Sequence, residues 1–283
     1  MRPKLILLGV LSLSLFACKK SSNTDPQFNG PLLKQIIMAA SDGSEKDTSN
    51  FYYDASGKLN KVVYTYTDTY TVNRVTNAFT RNSSGIITHI TSEYYISSGP
   101  STTWPTTPTW VDEQTVGLDA IGNYTYQIIN ETSAVGVSKD SIIYIYSNGR
   151  MSERKVYEIS NSGISHYRQD FFFTDANGNL LKDSALIANG GGPATITHVE
   201  TNTFDTSISA VNGYEFILAY FDGVSGFSKN NMIKTIYRDV DVSSGISNST
   251  TSTYSYTFNS DNRPTTMTAI NGFHMSTTTY TYY

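Results

Sequence analysis

The chain has a single cysteine, Cys18, so it cannot close an intramolecular disulfide. It also lacks positive charge. Lys and Arg number 20 against 24 Asp and Glu, a net charge of −4, and losing Arg2 and Lys4 with an N-terminal leader takes the remainder to −6. That is the opposite of the basic footprint a nucleic-acid binder carries. The apolar stretch Leu5–Phe16 is 12 residues long, too short to span a bilayer as a helix, which takes about 20. Only 16% of the residues are charged while 13% are aromatic; disorder needs the reverse balance.

Signatures of chemistry are equally sparse. His89, His166, His198 and His274 are scattered with no close metal-ligand spacing. No Gly-x-Ser-x-Gly nucleophile elbow is present. Asp175-Ala-Asn-Gly-Asn179 starts like a calcium loop, but its glycine comes too early and no glutamate stands at the twelfth position. The Gly-rich stretch 186–193 lacks the Lys-Ser/Thr of a phosphate loop. No cofactor is expected. Carboxylate pairs for glycoside hydrolysis stay open, because spatial separation defines them and sequence spacing does not.

What the chain does have is a recurring turn. Phe51-Tyr-Tyr-Asp54-Ala-Ser-Gly57-Lys-Leu59 reads as strand, turn, strand. The Asp54 carboxylate can accept from the backbone N–H two residues on, and Gly57 can take the left-handed conformation that closes a type I turn with a bulge. The same offsets return at Asn82/Gly85/Ile87, Asp119/Gly122/Tyr124 and Asp175/Gly178/Leu180. In Asn259/Asn262/Pro264 an asparagine replaces the glycine, and Asn148-Gly149 is a shortened copy. The turn glycines advance by 28, 37, 27 and 29 residues, and the 84 residues from Gly178 to Asn262 leave room for further hairpins, one starting near Asn230-Asn231. A fixed period of this kind points to one repeat-built unit in which each hairpin buries its apolar side against neighbours.

Tyr53-Asp54-Ala-Ser-Gly57-Lys-Leu59 resembles the YD-type repeats of bacterial RHS-like proteins. The chain as a whole is similar to YD-like repeat lipoproteins of unknown function of the Bacteroidetes type. The resemblance implies antiparallel hairpins and a cell-envelope location, and assigns no catalytic residue.

The N-terminus supplies an address. Met1-Arg-Pro-Lys4 is basic, Leu5–Phe16 is apolar, and Leu15-Phe-Ala-Cys18 resembles a bacterial lipobox, in which the cysteine is lipidated after cleavage. Residues 1–17 are therefore expected to be a lipoprotein signal peptide, 18–30 a polar tether, and 31–283 a single β domain. The location implied is the outer membrane, lipid-anchored, with periplasmic and surface display both open.

The fold expected is all-β: an antiparallel meander of about 14 to 18 strands, two per repeat plus ends, forming an extended or curved sheet able to close partway into a barrel or sandwich. Tyr214–Phe221 is dense enough in apolar residues for a short helix or a buried strand. Trp104 and Trp110 lie in or beside the proline-rich stretch 97–110, where they either cover the sheet or stack on sugar rings. Two functions follow. One is a non-catalytic envelope module that binds or scaffolds, its partners polysaccharide or envelope proteins. The other is a glycan- or peptidoglycan-acting hydrolase, recognised by a cleft holding two carboxyls roughly 5–10 Å apart.

Overall fold

The computed structural model describes residues 32–67, 71–98, 104–120, 122–133, 136–160, 163–189, 195–210, 228–240, 247–272 and 274–283. The strands in chain order are β1 (Leu33–Ala40), β2 (Lys46–Tyr53), β3 (Leu59–Thr67), β4 (Thr71–Arg81), β5 (Ile87–Ser98), β6 (Trp110–Leu118), β7 (Tyr124–Ser133) and β8 (Gly136–Ser147). They continue as β9 (Arg150–Ser160), β10 (Gly163–Thr174), β11 (Leu180–Asn189), β12 (Thr195–Ile208), β13 (Asn230–Val240), β14 (Ser247–Phe258), β15 (Pro264–Asn271) and β16 (His274–Tyr282). Each pairs antiparallel with its chain neighbours, and β1 pairs with β16, so the meander closes into a barrel. Closure goes beyond the partial curvature expected from sequence. It removes both free sheet edges, the sites at which β proteins otherwise aggregate. Sixteen strands spaced about 4.8 Å apart and tilted about 40° give a perimeter of roughly 100 Å, enough for a section about 30 Å across.

The repeated turn behaves as its chemistry requires. The Asp54 carboxylate accepts from the N–H groups of Ser56 (2.8 Å) and Lys58 (3.0 Å), while the Gly57 N–H donates to the Asp54 carbonyl at 3.0 Å. Gly57 sits at φ +81°. Asn82, Asp175 and Asn259 accept the same two backbone bonds. Asp119 accepts from the Asn123 N–H at 2.9 Å. Asn262 holds the left-handed position at φ 57°, which asparagine tolerates better than other side chains. Asn148 and Gly149 both have positive φ, the two-residue hairpin turn that this dipeptide favours.

The copies match in backbone but differ in packing, which their common offsets did not suggest. Gly85 and Gly122 hold the left-handed position at φ +82° and +90°. Their N–H groups donate to the Asn82 and Asp119 carbonyls at 2.9 and 3.1 Å. Gly57 is an exposed tip, whereas Gly85 and Gly122 are half-buried. At Gly85 the cause is Lys58, which reaches over from the preceding turn. A Cβ at Gly85 would stand 1.9 Å from the Lys58 Nζ, while one at Gly57 would meet nothing within 4 Å.

Each of the longer turns is accompanied by a register shift, as between Tyr52 and Tyr53, Thr80 and Arg81, and Phe173 and Thr174. The bulge brings the apolar residue after the turn to the inner wall. Leu59, Ile87, Tyr124, Leu180 and Pro264 are all buried. Because consecutive hairpins alternate ends, all six turns fall on one rim, here called the turn rim; the opposite ends of the strands mark the other rim, here called the loop rim. Asn179 and Asn230 tie the turn rim together across two strands. Asn230 N–H donates to Asn179 Oδ1 at 2.9 Å, and Leu180 N–H donates to Ser228 Oγ at 3.0 Å. The stretch Tyr214–Phe221 lies outside the described residues.

Candidate functional site

The two walls differ, and the ladder registers sort residues between them. Phe51 pairs Val62, Val62 pairs Asn77, and Asn77 pairs Ser92, so these side chains share one face. All are buried, which makes theirs the inner face. On β14, Ser252, Tyr254 and Tyr256 are half-buried while Thr251, Thr253, Ser255 and Thr257 are exposed, the alternation of a wall with a packed side and a wet one.

Near the turn rim the inner wall is apolar. Leu33, Phe51, Leu59 and Val62 form one buried cluster with Phe79, Tyr280 and Tyr282 against it, and Phe172, Leu180 and Met151 form a second. Tyrosine hydroxyls here satisfy backbone carbonyls: Tyr53 donates to Leu33 at 2.7 Å, Tyr282 to Pro264 at 2.9 Å and Tyr256 to Met232 at 2.8 Å.

At mid-height the inner wall becomes a polar belt. Ser92 Oγ donates to Asn77 Oδ1 (2.6 Å) and accepts from Gln114 Nε2 (3.2 Å). Gln127 Nε2 donates to Gln114 Oε1, and the Tyr144 hydroxyl donates to Gln127 Oε1, each at 2.6 Å. The belt thus runs unbroken over five strands. It continues in the ion pairs of Asp170 with Arg154 (2.9 Å) and Arg168 (2.8 Å), and in the Thr235 hydroxyl donating to Asn202 at 2.8 Å. Asn77 Nδ2, Asn202 Nδ2, Asp112 Oδ1 and Asp183 Oδ1 face inward, buried, with no partner.

Toward the loop rim the inner wall is acidic and opens to water. Met38, Ile96 and Tyr237 point inward by register yet are about 40% exposed (41%, 40% and 38%). Asp112 stands directly opposite Glu131 and Asp140 opposite Glu158; nearer the turn rim, paired with Phe172, Asp183 stands opposite Glu200. Like charges so placed destabilise a sheet. Burial and the neighbouring Glu200 and Asp170 carboxylates push the Asp183 carboxyl up to about 7. Burial also raises Asp47 and Asp112 above the usual carboxylate range. His198 stacks on Tyr237 at 5.6 Å, and its burial lowers its pKa. Among the described residues no group of three His, Cys, Asp or Glu is placed to hold a metal ion.

Lys61, Lys139, Lys155, Lys182, Lys234 and Arg238 face outward among rows of Ser and Thr, while Arg154 and Arg168 face inward. His89 pairs Glu113 at 2.6 Å, Lys155 pairs Glu153 at 3.1 Å, and Gln35 donates to Asn50 at 2.8 Å. None of this charge separation was read from the sequence. The alternation was visible strand by strand, but the bulges hide which face continues as which.

The sequence-predicted residues fall in separate places. Cys18 lies outside the described residues. The turn residues, Gly85 and Gly122 among them, sit together on the turn rim, away from the acidic mouth, and serve the backbone. Trp104 covers Arg74 on the outer wall at 4.8 Å, with Tyr95 on Arg74 at 4.1 Å. Trp110 stacks on Tyr94 at 4.6 Å and 19°, on the inner side of the mouth. The two indoles therefore do not form one platform.

No family model matches the chain, and no curated protein matches it. Solved structures similar to it include two porin-like proteins. One is a porin-like protein from Bacteroides uniformis, 13% identical, TM-score 0.49, covering 89% of this chain and 96% of that one. The other is a porin-like protein from Bacteroides vulgatus, 12% identical, TM-score 0.44, covering 90% and 99%.

Proposed function

We propose that the protein is an envelope lipoprotein whose barrel stands in water, tethered through Cys18, and that its inner wall is a non-catalytic binding surface for small hydrophilic ligands such as sugars. The observation that carries this reading is the outer wall. Strands of 8–14 residues, tilted, stand roughly 20–35 Å tall. A lipid-facing barrel needs an outward apolar band about 25 Å tall, which would take up nearly all of that height. Here the same zone holds Asn50, Glu113, Asn130, Lys155 and Gln169 together with the exposed Thr and Ser of β14. Each Lys facing lipid at the midplane costs about 2–4 kcal/mol, so a bilayer around this wall is strongly unfavourable. The lipobox supplies the membrane attachment that the wall does not, and the turn repeat supports the likeness to YD-like envelope lipoproteins.

For binding, the inner wall offers tyrosines, an Asn/Gln belt and buried donors and acceptors without partners, which suits ligands rich in hydroxyls. Trp110 on Tyr94 adds an aromatic face at the mouth. The test is a glycan array with the full-length protein, repeated with Trp110→Ala and Gln127→Ala. Retention lost in both variants at unchanged melting temperature supports an inner-wall site. Retention unchanged in both refutes it.

One observation favours a second reading, a glycan hydrolase. Asp183, pushed up to about 7, faces Glu200 directly, and two facing carboxyls, one with a raised pKa, are the groups that glycoside cleavage uses. Release of reducing ends from polysaccharide or peptidoglycan, abolished by Asp183→Asn and by Glu200→Gln, would establish it.

A further inference from the structure

A barrel tethered through Cys18 can meet the membrane with either rim, and the outer wall is not the same at both. Resting on the tethered-barrel reading, we propose that the turn rim docks on the phospholipid surface that holds the anchor. The contact is a collar of outward rings and lysines, which orients a barrel that the anchor holds, so that the acidic mouth at the loop rim opens away from the membrane.

The described chain enters the barrel at the turn rim. Leu33 opens β1, and its carbonyl accepts from the hydroxyl of Tyr53, the residue before the Asp54 turn, at 2.7 Å. The Leu32 carbonyl accepts from the Tyr283 N–H at 2.9 Å. Fourteen residues lead from Cys18 to Leu32, a covalent reach of at most about 50 Å. With the turn rim toward the bilayer, all of that length is clearance. With the loop rim toward it, roughly 20–35 Å is used up in climbing the wall.

The second observation is the collar itself. Tyr52, Tyr126, Phe173 and Leu181 face outward within four residues of a turn, and Tyr283 follows the end of β16; these five are 41–62% exposed. Four residues of a tilted strand rise about 10 Å, the depth at which side chains meet the boundary between headgroups and acyl chains. Lysines lie over three of the rings: Lys61 on Tyr52 at 4.5 Å, Lys182 on Phe173 at 5.5 Å and Lys34 on Tyr283 at 5.4 Å. Rings at the boundary with ammonium groups reaching the phosphates are what a membrane interface selects. The rim carboxylates of Asp54 and Asp175 accept instead from N–H groups of their own turns. In the closed ring β2 and β10 are diametrically opposite, so Tyr52 and Phe173 together seat the barrel upright. The loop rim exposes Ile270 and Met275 outward, but the anchor does not lead to it, and its outer Arg74 is already covered by Tyr95 and Trp104.

The experiment is fluorescence quenching of the full-length lipoprotein in vesicles of phosphatidylethanolamine and phosphatidylglycerol, with a nitroxide on the lipid near the headgroup. The native Trp104 and Trp110 lie toward the loop rim and are expected to stay unquenched. Tyr52→Trp and Phe173→Trp are each expected to add a component quenched about twofold or more. Thr253→Trp, at mid-wall, is expected to add one that is not. Lys61→Gln with Lys182→Gln should reduce quenching at both rim reporters, with the melting temperature unchanged. Quenching of the native tryptophans in place of the rim reporters would mean an inverted barrel and overturn the proposal. Quenching at one rim reporter alone would mean a barrel leaning on its side and overturn it too. If both stay unquenched in protein that floats with the vesicles, the collar is free or covered by another protein; this inference then fails and the tether survives. Protein that does not float removes the tether and this inference with it. Quenching at Thr253→Trp would mean a spanning barrel, contrary to both.

Discussion

Asp183 offers a test of whether the inner wall carries the electrostatic strain described above. Its carboxyl moves from 3.8 to about 7 because burial and the facing Glu200 and Asp170 disfavour its ionised form. A raised carboxyl pKa works against folding once the unfolded chain ionises. Below about pH 4 Asp183 is protonated in both states and costs nothing. From pH 4 to 7 the unfolded state sheds the proton while the folded state keeps it, so the penalty grows, and above 7 it levels off. Three pKa units correspond to a ceiling of about 4 kcal/mol. Asp183 is half-buried rather than enclosed, and solvent screening reduces this to about 1–2 kcal/mol. Asp183→Asn should therefore raise the melting temperature by about 2–6 °C at pH 8 and leave it unchanged below pH 4, with the gain appearing between. Differential scanning calorimetry of both proteins across pH 3.5–8.5 is the assay. An equal gain at every pH would trace to packing, and no gain at pH 8 would refute the strained-lumen argument.

Other expectations follow from the same geometry. Phe51→Ala, which empties a site only 1% exposed at the centre of the turn-rim cluster, should cost about 3–5 kcal/mol in chemical denaturation. Gly178→Ala forces a side chain to φ +93° and should cost about 1–2 kcal/mol, whereas Asn262→Gly should be neutral or slightly stabilising by the same measurement. On the proposed tether, Cys18→Ser should move the protein from the membrane fraction to the soluble fraction on cell fractionation.

The hairpins were legible because the turn chemistry is local. An acceptor at the first position and a left-handed residue three later specify the turn whatever surrounds it, and Asp54, Asn82, Asp175 and Asn259 all behave accordingly. What packs on each turn was not legible: Gly85 lies under Lys58 of the neighbouring hairpin, a contact its own offsets do not encode. Closure was legible only in part. It depends on Ile36 meeting Tyr280, residues at opposite ends of the chain, and on mixed Tyr/Thr faces that look the same from either side. The inner surface was hidden for a different reason. At each of these turns the bulge puts two inward residues three apart, as with Leu59 and Val62, Ile87 and Ile90, and Leu180 and Asp183. A period-2 reading carried through the turn therefore assigns the next strand to the wrong face. The acidic mouth follows once the registers are known. Lys139 and Asp140, adjacent in sequence, belong to opposite walls.

The most direct test of the account asks what touches the outer wall. Cys18 is the only cysteine, so a variant with Thr201→Cys or Thr253→Cys, both outward-facing at mid-strand, carries one added thiol. Expressed in an envelope or reconstituted into vesicles and treated with a membrane-impermeant maleimide, each is predicted to label fully and at the same rate as in detergent-free solution after removal of the lipid anchor. Protection of both thiols by lipid, relieved only on solubilisation, would show that the barrel spans the bilayer and would contradict the account.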